Sequence, residues 1–284
     1  MLLPLVLVAS LQSSTGPDLD TADRYIEACR AAVIDAHPPV AQITVEGLPI
    51  YCLYDGILED PRIHGDLVDG VGNWAPDGLV VRSVGGAVGD WLDLIWALDP
   101  PFDFIIVDGA CFSSCANYAF AAAHRRIVPE GGVVGWHGGP TANEEFMRHW
   151  IVRNEPPGTV PSEADMARVL ELGRRTEDLY ALTGASTRIL EDTHNPDLPT
   201  FSVLRARLFT REPEDGRYSG LTAFPPDILE RCYGFTGLED MTHVGNDRDA
   251  FRWARNLGPG FYLFTRTDTT DERGCPVTDH DRGR

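Results

Sequence analysis

Apolar residues along this chain fall into short runs separated by glycine, proline and aspartate. Four runs are dense in β-branched and aromatic side chains: Ile50-Tyr51-Cys52-Leu53-Tyr54, Leu79-Val80-Val81, Phe104-Ile105-Ile106-Val107 and Val133-Val134-Gly135-Trp136. Runs of this length between turn residues predict strands. Helical spacing fills the intervals. Residues 21–36 place Tyr25, Ile26, Cys29, Ala32 and Val33 on one face, and further helices are expected over about 61–71, 87–98 and 116–123. Beyond the fourth strand, helical patterns cover 144–152 and 186–192, and Ser162-Glu163-Ala164-Asp165 reads as the start of a long helix to about Leu182. Strands alternating with helices make this an α/β chain. From Phe201 onward the pattern thins, although Phe224-Pro225-Pro226, Phe251-Arg252-Trp253 and Phe261-Tyr262-Leu263-Phe264 predict more packed structure.

Chemistry gathers where the second, third and fourth strands end. The second stops at Ser83-Val84-Gly85-Gly86, where two glycines let backbone N–H groups face outward and form a pocket for developing negative charge. The third leads through Asp108-Gly109-Ala110 to Cys111-Phe112-Ser113-Ser114-Cys115 and a small-residue helix. A serine at such a junction is either an ordinary helix N-cap or a nucleophile. The fourth runs into His137-Gly138-Gly139-Pro140, which leaves a histidine with room to face a cleft and act as general base. The remaining histidines lack metal-ligand spacing, and His124, beside Arg125-Arg126, reads as a cation at a helix C-terminus.

Together, Ser83-x-Gly85-Gly86, Gly109-x-x-x-Ser113 and His137 resemble the catalytic core of the Clp protease proteolytic subunit, of the crotonase-like superfamily. The likeness is nearest to exported relatives that work without an ATPase, and it covers roughly residues 50–140. It implies a Clp protease/crotonase-like spiral of ββα units, with additional helices and a C-terminal extension. It also implies Ser113 as nucleophile, His137 as base, and the N–H groups of Gly86 and Ser114 as oxyanion hole. The orienting carboxylate falls on Asp197, after a helix begun by Thr183-Gly184-Ala185-Ser186, with Asp192 as competitor. Asp192 also reads as a solvated helix residue and Asp197 as a turn residue after Pro196. In the family the long helix after the histidine mediates subunit contacts, so a homo-oligomer is compatible with this chain. No cofactor or metal is implied.

Charge narrows the field. The chain carries a net −19, and all 24 of its basic residues are arginine. Without lysine there is no Ser-Lys dyad, Schiff base or P-loop lysine. Strong acidity and the absence of a basic run argue against nucleic acid and anionic lipid as partners. They also argue against the acyl-CoA branch of the superfamily, which needs basic residues for phosphates. The apolar Leu2–Ser10 stretch before Gln12-Ser13-Ser14 predicts a secretory signal, and hence a periplasmic or secreted protein with no membrane segment after cleavage. Six cysteines in that setting favour disulfides. Cys29 with Cys52, Cys111 with Cys115 and Cys232 with Cys275 are natural pairs, but spacing leaves the connectivity open. A zinc site or a Cys111 or Cys115 thiolate nucleophile is the rival use.

The expected organisation is a signal peptide at 1–15, a leading helix and linker at 16–40, a catalytic domain at 41–223 and a C-terminal extension with a loose tail at 224–284. The expected function is an exported, ATP-independent serine peptidase acting on peptides or unfolded protein. The alternatives are a noncatalytic secreted binding or assembly module on the same fold, and a crotonase-like acyl-CoA enzyme.

Overall fold

A two-residue turn begins the sheet. Glu46 and Gly47 both take positive φ, 54° and 89°, the combination that matches the twist of hairpin strands. It joins β1 (Val40–Val45) to β2 (Leu48–Tyr54) with Val45 opposite Leu48. The computed structural model describes residues 17–36, 38–54, 68–72, 74–154, 160–194, 219–239, 241, 261–265 and 271–275.

Strands β3 (Gly78–Ser83), β4 (Phe102–Phe112) and β5 (Ala123–Ile127) then add in parallel, and β8 (Leu238–Glu239) closes the edge beside β5. With β6 (Val133–Gly135) also paired to β4, this is a mixed sheet of seven strands, and the chain is α/β. Parallel strands need cover on both faces, and the side-chain alternation supplies it. Ile50, Cys52, Val80, Phe104 and Ile106 face one way and pack on Tyr25, Ile26, Cys29 and Val33 of α1 (Leu19–Val33). Tyr51, Leu53, Leu79, Val81 and Ile105 face the other, into a larger cluster with Trp91, Leu92 and Ile95 of α2 (Val88–Ala97).

Helix α1 begins with a capping box between Asp18 and Thr21. Two bonds tie it to the sheet: the Cys29–Cys52 disulfide, and a two-pronged ion pair from Arg30 to the buried Asp108 of β4 at 2.7 and 2.5 Å.

Strand β4 organises the molecule. Its first half pairs with β5, from Phe102 opposite Ala123 to Ile106 opposite Ile127. Its second half pairs with β6, from Ala110 opposite Val133 to Phe112 opposite Gly135. On the other side Val81 faces Val107 while Ser83 faces Cys111. Two steps along β3 thus match four along β4, a bulge that contains Gly109 at φ 88°. The segment Asp108-Gly109-Ala110, which follows the run 104–107, is therefore bulged strand. Its glycine and aspartate disguise a continuing ladder.

The expected helix at 116–123 is a π-helix, Cys115–Phe120, after which the chain turns directly into β5. His124 consequently sits exposed on a strand rather than capping a helix. The cation at the helix end is Arg126, fully buried, which donates to the carbonyls of Phe120 at 2.9 Å, Ala121 at 3.1 Å and Thr236 at 2.5 Å. Its guanidinium lies 4.9 Å from the Phe235 ring centroid. Burial pulls its pKa down to about 10.

After β6 come α3 (Glu144–Asn154), α4 (Glu163–Thr183) and α5 (Arg188–His194). Of the arginines on α4, Arg174 stays on an exposed face with Glu171, whereas Arg175 reaches Asp93 of α2 at 2.6 Å. Described residues between 224 and 235 join the same core. Strand β7 (Ser219–Ala223) pairs with β9 (Phe261–Thr265), and Phe224, Phe235 and α6 residues Leu229 and Tyr233 lie in the larger cluster. Helix α6 (Pro226–Tyr233) is bridged through Cys232 to Cys275. Three disulfides fit an oxidising compartment. Among the described residues no helix is long and apolar enough to cross a membrane.

Helix α4 meets the segment after β6 at Gly173. A Cβ there would lie 2.1 Å from the Thr141 carbonyl oxygen. Gly173→Ala is expected to lower stability by about 1–3 kcal/mol, despite alanine's better helix propensity, read as a drop in the urea unfolding midpoint.

Candidate active site

Ser113 follows the last residue of β4 and takes φ 55°. A non-glycine residue there costs on the order of 1–3 kcal/mol, so the surroundings must enforce it. They do so on both sides. The Ser113 N–H donates to the Gly135 carbonyl at 2.9 Å, and the Ser113 carbonyl accepts from the Asn117 N–H at 2.9 Å. The Cys111–Cys115 disulfide brackets the turn.

His137 stands two residues beyond β6, after an isolated bridge at Trp136. Trp136 exchanges both main-chain hydrogen bonds with Thr222, at 2.9 and 2.7 Å, and its buried ring packs against Phe120, Phe224 and Phe235. The Asn117 amide donates to the His137 carbonyl at 3.4 Å. Next along the chain, Thr141 and Asn143 donate to Glu191 of α5, and the Ala142 N–H donates to Glu177 of α4. These bonds hold the segment that follows the histidine.

The result is direct contact. The Ser113 hydroxyl donates to His137 Nε2 at 2.5 Å, across 24 positions of sequence. His137 Nδ1 lies 2.7 Å from the carbonyl oxygen of Gly138. A carbonyl only accepts, so the ring proton sits on Nδ1 and Nε2 is left to accept from serine. Burial holds the His137 pKa below its ordinary 6.5, with partial compensation from the Gly138 carbonyl. The ring is therefore a neutral base at pH 7.

The glycine turn abuts this pair. A Cβ on Gly85 would fall 2.6 Å from Ser113 Cβ and 2.9 Å from the Ser114 nitrogen. With φ at 98°, position 85 requires glycine on both counts. The Gly85 N–H donates to Ser83 Oγ at 3.1 Å, and Ser114 Oγ donates to the Gly86 carbonyl at 2.7 Å. Among the described residues, the N–H groups of Gly86 and Ser114 have no backbone partner. Gly86, Ser113 and His137 are partly exposed, whereas Gly85, Phe112, Ser114, Trp136 and Gly138 around them are buried. Four of the five residues expected at the site are thus brought together.

The two carboxylate candidates stand differently. Asp197 lies outside the described residues. Asp192 is 2 % exposed and so not a solvated helix residue; it accepts from the Tyr233 hydroxyl at 2.9 Å and pairs with Arg188 at 3.3 Å. The group on His137 Nδ1 is a main-chain carbonyl, which no residue type signals in sequence. The thiolate alternative also falls, because Cys111 and Cys115 share one disulfide. Among the described residues, no group of His, Cys, Asp and Glu is placed to hold a metal ion.

Set beside known proteins, the chain matches no protein-family model and no curated protein sequence at a significant level.

A lowered histidine pKa ties stability to pH. As pH falls the unfolded chain takes up this proton first, so the stability contributed is complete above 6.5 and is lost as pH falls from there toward the lower folded value. A ¹H–¹⁵N NMR titration should find His137 protonated on Nδ1 when neutral, with a midpoint below 6.5.

Proposed function

We propose that the protein is a serine hydrolase that works through an acyl-enzyme. The observation that carries this reading is the Ser113 hydroxyl donating to His137 Nε2 beside the Gly85-Gly86 turn. Ser113 attacks the substrate carbonyl, its proton passes to His137 Nε2, and the C–O bond to serine forms as the carbonyl oxygen gains negative charge. The N–H groups of Gly86 and Ser114 receive that charge, a contribution on the order of 10²–10³ in rate per donor. Collapse of the tetrahedral species expels the leaving group, which takes the proton back from His137. Water then repeats the sequence and frees Ser113.

In this reading the Gly138 carbonyl holds the histidine tautomer. It stabilises the imidazolium less than an ionised carboxylate would, in keeping with the lowered pKa. Asp197 remains the carboxylate assigned by the resemblance. The same resemblance proposes the Clp protease/crotonase-like spiral, which the split pairing of β4 between β5 and β6 supports. Three disulfides support export, and with it action on peptides or unfolded chains without an ATP-driven unfoldase. A homo-oligomer through α4 belongs to the same proposal. A net charge of −19 favours neither nucleic acid nor anionic membranes as partners.

A fluorophosphonate probe tests the reading, because it labels only an activated serine. Oxidised full-length protein should be labelled, with labelling abolished in Ser113→Ala and reduced about 10²-fold or more in His137→Ala. Ser114→Ala should still label, more slowly. A folded wild type that does not label would favour the noncatalytic binding or assembly module.

A further inference from the structure

We infer that the side chains of Ser83 and Ser114 are positioning residues that aim the Gly86 N–H at the reacting oxygen. The inference rests on the hydrolase reading above.

An oxyanion donor is useful only when its N–H sits 2.7–3.1 Å from the oxygen with little freedom to swing. Here the donor belongs to the peptide between Gly85 and Gly86, the least restrained backbone the chain could place there. Both flanking peptides are pinned by a hydroxyl. On the N-terminal side, the Gly85 N–H donates to Ser83 Oγ at 3.1 Å. On the C-terminal side, the Gly86 carbonyl accepts from Ser114 Oγ at 2.7 Å. The peptide that carries the donor is thus held at both ends, and the glycines keep the absence of Cβ that lets the turn approach Ser113.

Both pins are shielded from water. Ser83 is 1 % and Ser114 2 % exposed, so both hydroxyls sit on buried residues, and the Ser83 bond is buried throughout. Ser114 has a further consequence. Its own N–H is the second oxyanion donor, so its hydroxyl ties the two donors into one unit across the gap between the glycine turn and the nucleophile turn. Ser83 acts from the end of β3 at the bulge, where it lies opposite Cys111. The pins therefore connect the oxyanion turn to the end of β3 and to the nucleophile turn that follows β4.

The test uses residues of matched shape. Thr keeps the hydroxyl and Val replaces it with a methyl, so any packing cost at these buried sites is common to both. In saturation kinetics of fluorophosphonate labelling on the oxidised full chain, Ser83→Thr should react about tenfold faster than Ser83→Val, and Ser114→Thr about tenfold faster than Ser114→Val, one misdirected donor being worth at least that much. The half-saturating probe concentration and the pH midpoint should agree within each Thr/Val pair, because neither hydroxyl touches His137 and the Ser114 N–H is common to both members of its pair. Equal rates within each Thr/Val pair would overturn the inference. So would a rate difference carried by a shifted pH midpoint or a shifted half-saturation. A wild type that does not label would sink the hydrolase reading itself, and the pins with it; a labelled wild type with indifferent Thr/Val pairs would sink the pins alone.

Discussion

The hydrogen bond from the Ser113 N–H to the Gly135 carbonyl is the constraint on which the site depends. It is the last rung of the parallel ladder between β4 and β6, one step past Phe112 opposite Gly135. A rung of main chain fixes the separation of two strand ends far more tightly than side-chain contacts can. Ser113 follows one of these ends and His137 lies two residues beyond the other. The distance between their side chains is thus a consequence of sheet register. Slipping that register by one residue would turn every side chain on β6 to the opposite face and draw the buried Trp136 that follows it away from Phe120, Phe224 and Phe235. Core packing therefore protects the contact between serine and histidine, although neither residue takes part in the core.

The electrostatics of the pair follow from the same placement. His137 sits on a frame of buried glycines and aromatics, so its charged form is poorly solvated and its pKa falls. The nearest compensating group is the neutral dipole of Gly138. The two carboxylates that anchor the following segment, Glu177 and Glu191, are bonded to Ala142, Thr141 and Asn143. Behind the π-helix, Arg126 places a cation on the carbonyls of Phe120 and Ala121, so those helix-end acceptors are not left unpaired in an apolar core.

What could be read in sequence was what residue type encodes. The β-branched runs at 50–54, 79–81, 104–107 and 133–136 signalled strands because such side chains suit a pleated, buried surface, and glycine pairs marked the turns. Ser113 and His137 were visible because each followed a strand. What escaped was carried by the main chain or by context. The β4 ladder runs through Asp108 and Gly109, residues that ordinarily end a strand; a bulge accommodates the glycine, and Arg30 neutralises the aspartate from 78 positions away. The cation at the helix end was sought at His124, and only the fold shows that it is Arg126, surrounded by Phe120, Phe235 and main-chain carbonyls. The partner of His137 Nδ1 is a carbonyl, invisible to any pattern of side chains.

The three disulfides differ in what they can contribute, and loop length decides it. On the chain-entropy account, closing separations of 23 and 43 residues contributes about 3–4 kcal/mol each, whereas closing a separation of 4 contributes only about 2 kcal/mol. The bridges at Cys29–Cys52 and Cys232–Cys275 thus act on the whole chain, stapling α1 to β2 and the segment at 271–275 to α6. Cys111–Cys115 acts on one turn. Its modest entropy is comparable to the cost of holding Ser113 at positive φ, about 1–3 kcal/mol. A short covalent clasp around a residue at positive φ stabilises a conformation that the local sequence disfavours, and it acts on the residue whose hydroxyl faces the histidine.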